Sequence, residues 1–79
     1  MGKAKVRVRD PILVAFGLAV QQRRKILGIS QEEAAARSGL HRTYFADVER
    51  GARNLGLKNV VAISRGLGVT TPSLLRDIR

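Results

Sequence analysis

Apolar positions along the chain fall into short runs with helical spacing, punctuated by glycines. In the first run Leu13, Phe16, Val20 and Leu27 recur at steps of three, four and seven, which marks one buried stripe of a helix. Asp10-Pro11 starts that helix, because the Asp carboxylate accepts from free amides and Pro has no amide to leave unpaired. Gly28 stops it. Next, Ser30-Gln31-Glu32-Glu33 is a capping box, with the Ser30 hydroxyl reaching one amide and Glu33 returning to the Ser30 amide. The second helix then covers about residues 31–38, before Gly39. Leu40 and Phe45 flank a cap at His41 with the spacing of a hydrophobic staple, opening a third helix over about residues 42–50 before Gly51.

The spacing of Leu57, Val60, Val61, Ser64 and Leu67 predicts a fourth helix, closed by Gly68. Thr71-Pro72 repeats the cap-plus-proline start for a fifth, over about residues 72–78, with Leu74, Leu75 and Ile78 as its apolar stripe. Residues 1–9 alternate bases with small or apolar residues and read as a basic N-terminal arm, or as a short strand paired across a dimer. The predicted fold class is therefore all-α, a compact five-helix bundle in residues 10–79 behind that arm. Arg24 falls on the apolar stripe of the first helix, where a base must either snorkel to solvent or find a carboxylate.

Charge narrows the function. Of 79 residues, 15 are Lys or Arg against 6 Asp or Glu, for a formal charge of +9. Residues 1–22 hold four bases and one acid, residues 23–54 seven and four, and residues 55–79 four and one. Basicity spread this evenly suits a polyanion binder, with nucleic acid ahead of a membrane surface. The longest apolar stretch, Ile12 to Val20, has nine residues, far below the roughly 20 that span a bilayer. The expectation is a cytoplasmic protein, resident with the nucleoid and neither exported nor bound to a membrane. Absence of cysteine removes disulfides, thiolate metal sites and thiol nucleophiles together. The single His is placed as a cap, and the adjacent Glu32 and Glu33 point in different directions around a short helix. No enzyme, metal site or cofactor is expected.

The second and third helices form a geometry rather than only a pattern. Ala35 allows close approach, Gly39 supplies the turn, and Phe45 and Val48 anchor the following helix, which is helix-turn-helix spacing and leaves the outer face of the third helix free to enter a major groove. The runs Ser30-Gln31-Glu32-Glu33-Ala34-Ala35, Gly39-Leu40-His41-Arg42-Thr43-Tyr44, Glu49-Arg50-Gly51-Ala52-Arg53-Asn54 and Gly66-Leu67-Gly68-Val69 resemble the Cro/phage-repressor-like helix-turn-helix family. Within it the chain is most similar to the small controller proteins of restriction-modification systems. The sequence departs from that pattern at Gly56, where a Ser or Thr cap is usual, at His41, and in the arm.

The resemblance implies a lambda repressor-like DNA-binding domain, with Arg42, Thr43 and Asp47 facing base edges. Arg suits a guanine, whereas Asp47 either accepts from cytosine or orients Arg42 or Arg50. Gln31, at the amide-rich start of the second helix, would meet a phosphate together with Arg53 and Asn54; Tyr44 would lie along the sugar-phosphate backbone or pack half-buried; and Arg23 and Lys25 add general attraction for the backbone. Arg24 and Glu49 correspond to a partly buried ion pair. Leu74, Leu75 and Ile78 find little same-chain cover, so a homodimer interface is expected there, with capping of the monomer core as the alternative. The partners implied are double-stranded DNA and a second copy, with RNA polymerase a further candidate. A Cro-like repressor, an antitoxin-type regulator and a ribosome-associated RNA binder are the rival readings. The last is disfavoured by the narrow major groove of A-form RNA.

Overall fold

The computed structural model describes residues 10–78, and within them the chain forms five helices: α1 (Pro11–Leu27), α2 (Gln31–Ser38), α3 (Arg42–Glu49), α4 (Leu57–Gly66) and α5 (Thr71–Leu74). The arm expected at residues 1–9 lies outside the described residues. Side-chain caps begin the first three helices. Asp10 Oδ1 accepts from the Ile12 amide at 2.8 Å, Ser30 Oγ from the Glu33 amide at 3.0 Å, and His41 Nδ1 from the Thr43 amide at 3.3 Å. Gly56 offers no side chain, and α4 starts without such a bond.

One core joins all five helices. Phe16 and Val20 of α1, Ala34 and Ala35 of α2, Phe45 and Val48 of α3, Ile63 of α4 with Leu67 at its cap, and Leu74 of α5 are its buried members. α2 packs on α3 and α4, α1 packs on α3, and α5 touches α1 and α4. Phe45 has no exposed surface, a burial that contributes about 1.5–3 kcal/mol. Close approach of α1 to the end of α3 depends on Gly17, where an added Cβ would lie 2.5 Å from the Val48 carbonyl oxygen. Any side chain there forces the two helices apart.

Several expectations are corrected. The capping box is half made, because the Glu33 carboxylate accepts from Arg37 Nε one turn on, at 2.9 Å, instead of returning to Ser30. Arg50 is the cap of α3 rather than its last helical residue. The inner face of α4 runs through Val60, Ile63, Ser64 and Leu67, which leaves Leu57 on the shoulder, 75% exposed. The fifth helix is one turn, not the seven residues expected over 72–78. Thr70, not Thr71, caps it, accepting from the Ser73 amide at 3.2 Å, while the Thr71 hydroxyl is engaged by the buried Ser64 at 2.8 Å. Beyond Leu74 the chain continues in turns, with the Ile78 amide donating to the Leu75 carbonyl at 3.0 Å. Leu74 belongs to the monomer core, so it is not available to a partner; Leu75 and Ile78 are half-buried against that core.

Candidate nucleic-acid interface

The turn between α2 and α3 is built by Gly39, whose φ of 69° lets the Leu40 amide bend back to the Ala35 carbonyl at 2.9 Å. With Ala34 and Ala35 buried beneath it, α3 lies close over α2 and turns its opposite face outward. Arg42 and Thr43 stand exposed at the start of that face. Between them and the start of α2 is an open hollow of about 220 Å³, lined by Gln31, Arg42, Thr43, Ala46, Asp47 and Arg50.

A buried ion pair fixes the orientation of α3. Arg24 Nε donates to Glu49 Oε2 at 2.5 Å and Arg24 Nη2 to Glu49 Oε1 at 3.0 Å, a two-bond fork, while Nη1 donates to the Ile29 carbonyl at 3.0 Å. Side-chain exposure is 14% for Arg24 and 2% for Glu49. The pKa of Arg24 is raised above its already high ordinary value, first by the hydrogen bond to Glu49 and then by the opposing charge, against the lowering effect of burial. Gln31 Nε2 also donates to Glu49 Oε1, at 2.9 Å. One carboxylate therefore ties α1, the start of α2 and the end of α3 together. The expected pair of Arg24 and Glu49 is present. The Gln31 side chain donates one hydrogen to Glu49 at the start of α2 and also lines the hollow.

Asp47 organises the other side. Its carboxylate accepts from Arg50 one turn on, and from Arg53 Nη2 at 3.1 Å. Of the roles left open for it, the one the structure contains is orientation of Arg50, with Arg53 added. The Arg53 guanidinium lies over the Tyr44 ring, 4.7 Å from its centroid, within cation–π range. Tyr44 Oη accepts from Asn59 Nδ2 of α4 at 2.9 Å. Arg53 is thus held from below by an aromatic face and from the side by a carboxylate. Asn54 follows it, exposed in the loop before α4.

Arg23 is not part of this cluster. Its Nε donates to the Leu67 carbonyl at 3.1 Å, closing the end of α4, and it lines a groove between α1 and α5 with Ile26, Val69 and Arg76. Arg50, expected only as a base that Asp47 could orient, and Asn59, which the sequence did not single out, by contrast belong to the site's network. Asp47 and Arg50 are three residues apart on one helix and legible as a pair. Asn59 lies fifteen residues from Tyr44, with no local pattern to connect them. Among the described residues no group of three or more His, Cys, Asp or Glu side chains is placed to hold a metal ion, and no helix is long and apolar enough to cross a membrane.

Comparison with known proteins adds independent findings. A helix-turn-helix family model matches residues 20–74. Control protein C.BamHI of Bacillus amyloliquefaciens is 46% identical over 65 residues, covering 81% of this chain and 80% of that protein. The restriction-modification controller protein C.AhdI from Aeromonas hydrophila superposes with a TM-score of 0.76 at 40% identity, over 78% of this chain and 94% of that one. The controller protein C.Esp1396I, solved as a tetramer in complex with its natural 35 base-pair operator, gives a TM-score of 0.81 at 30% identity, over 87% of this chain and 91% of that one. Other solved forms of C.Esp1396I carry single substitutions of an Arg, a Thr and a Tyr at successive positions, the order in which Arg42, Thr43 and Tyr44 occur here.

Proposed function

The chain belongs to the helix-turn-helix family, among the restriction-modification controller proteins and their relatives, and from that membership we propose that it is a homodimeric, sequence-specific transcriptional regulator that acts on a pseudo-palindromic operator beside its own gene. It is a DNA-binding regulator. The observation that carries the finer reading is the outer face of α3, where exposed Arg42 and Thr43 border the hollow and the buried fork of Arg24 and Glu49 sets the helix's angle. In this reading Arg42 and Thr43 reach base edges, and Tyr44, Arg53, Asn54 and the α2 amides grip the sugar-phosphate backbone.

A second copy is supported by what α4 leaves outside. Leu57, Val61 and Ala62 form an apolar strip flanked by Lys58 and Arg65, and Leu57 lies three residues beyond Asn54. In this reading the two-fold axis runs near that strip and the two α3 helices meet half-sites about 10 base pairs apart. C.Esp1396I assembles as a tetramer on its operator. Titration of the protein into a labelled duplex from the DNA upstream of its reading frame tests the proposal, with a scrambled duplex as control. Two protomers per inverted repeat and a clear preference over the scrambled duplex are expected; equal binding to both would sink sequence-specific recognition.

A further inference from the structure

Asn59 sits in the first turn of α4, half-buried, and donates Nδ2 to Tyr44 Oη at 2.9 Å. A phenol oxygen carries one hydrogen and accepts others. Because Asn59 supplies the hydrogen that Oη accepts, the hydroxyl's own hydrogen remains available to an acceptor outside the protein. The same bond fixes the ring on which the Arg53 guanidinium rests, 4.7 Å from its centroid, with Asp47 Oδ2 at 3.1 Å as the lateral stop. One amide on a neighbouring helix thereby sets two groups with an affinity for phosphate, a hydroxyl donor and a stacked cation. An arginine already stacked loses less rotamer freedom when it is captured.

We propose that Asn59 is a positioning residue for DNA binding, which turns the Tyr44 hydroxyl toward a backbone phosphate and keeps the Tyr44 ring under Arg53. The inference rests on the reading of Tyr44 and Arg53 as phosphate contacts and adds the residue that prepares them. The chain has one tyrosine and no tryptophan, so its near-ultraviolet emission is that of Tyr44 alone. Asn59→Ala is expected to alter that emission in the free protein and to preserve cooperative melting. It should weaken binding about five- to tenfold per protomer, on the upstream duplex and the scrambled duplex alike. In a Tyr44→Phe background the same substitution should cost less than about twofold, since the hydroxyl it orients is gone.

Asn59→Asp only accepts, so it should draw the Tyr44 hydrogen inward and weaken binding at least as much as Asn59→Ala. Its residual effect with Phe at position 44 should be the part that shrinks as salt is raised. Should Asn59→Ala not melt cooperatively, Asn59→Gln, which keeps the donor on a longer stem, carries the comparison of the two backgrounds. Equal losses in both backgrounds, or full-strength binding by Asn59→Ala, would overturn the assignment. Failure of the unaltered protein to bind either duplex would instead overturn the reading of the α3 face.

Discussion

Replacing Glu49 by Ala tests the hinge on which the orientation of α3 depends. The carboxylate is 2% exposed and accepts three hydrogen bonds, two from Arg24 and one from Gln31. Its removal leaves the guanidinium, itself 14% exposed, with only the Ile29 carbonyl, and leaves the Gln31 amide without its acceptor. Breaking a buried pair from one side costs about 3–5 kcal/mol, most of it the uncompensated charge. A domain of 79 residues has on the order of 4–12 kcal/mol in total, so the variant should lose about a quarter or more of its stability. Each kcal/mol is worth about 4–8 °C in this size range, which places the expected fall in Tm at about 12 °C or more. Arg24→Met in the Glu49→Ala background should recover part of the loss, because it removes the stranded charge while keeping an apolar stem on the α1 stripe. The exposed pair of Arg37 and Glu33, 46% and 52% exposed, serves as the internal control, with Glu33→Ala costing roughly 0.5 kcal/mol or less because the Ser30 cap uses the Glu33 backbone amide, which the substitution keeps. Alkali should not weaken the buried pair within the folded range. Arg24 has a raised pKa, so its contribution is present below the unfolded value and lost only as pH climbs through the still higher folded one. Urea melts of the unaltered protein, Glu49→Ala, Arg24→Met and the double variant at one concentration give the coupling energy; a value near zero would refute the fork as the element that fixes α3.

Arg42→Ala should cost about 1–3 kcal/mol on the operator and relax discrimination at one base pair per half-site, whereas Arg53→Ala should weaken all sequences alike and lower the slope of log affinity against log salt by about one per protomer, as read from isotherms at several salt concentrations. Leu57→Glu should yield a folded monomer by sedimentation, since Leu57 is 75% exposed, while Leu74→Ala, at 6% exposure, should instead cost about 2–4 kcal/mol in a melt. If Leu57→Glu remained dimeric, the α4 strip would not be the interface. Asp47→Asn should raise affinity for a scrambled duplex more than for the operator, because it frees Arg50 and Arg53 from their shared carboxylate; an unchanged preference would refute that role.

What the sequence discloses about this molecule is local chemistry. Asp10, Ser30 and His41 cap the helices they were expected to cap, because a capping bond spans two or three residues and is written in adjacent positions. Arg24 was marked as needing a carboxylate because a base on an apolar stripe demands a partner, whereas Glu49 as that partner came from the family resemblance. One misreading is local, the Glu33 carboxylate turning to Arg37 within its own helix, and others are decided at longer range. Thr70 and Thr71 are equivalent as caps until Ser64, on another helix, takes the second hydroxyl. Leu57 matches the α4 stripe by spacing, and only the placement of Ile63 in the core shows the face to be rotated away from it. Leu74 looked uncovered because the stretch of chain after it is short, yet its cover comes from α1 and α4. Gly17 was not singled out, since a glycine inside a helix announces a close approach without naming the element that approaches.

The two acids of α3 divide the labour of the helix. Glu49 faces inward and converts a buried cation into a joint between three helices; Asp47, its carboxylate 20% exposed, faces the hollow and holds two cations at the surface. A chain with a net charge of +9 has attraction for any duplex in abundance, so affinity is the easier half of its task. Discrimination requires that attraction alone not suffice. With Arg50 and Arg53 already satisfied by Asp47, unrelated DNA gains less from meeting them than it would from free guanidinium groups, because it must replace a hydrogen bond already made. In the proposed reading, a site that also engages Arg42 and Thr43 offsets that exchange with contacts available only at the matching bases. The carboxylate that looked misplaced on that helix would then be what lets so basic a domain choose.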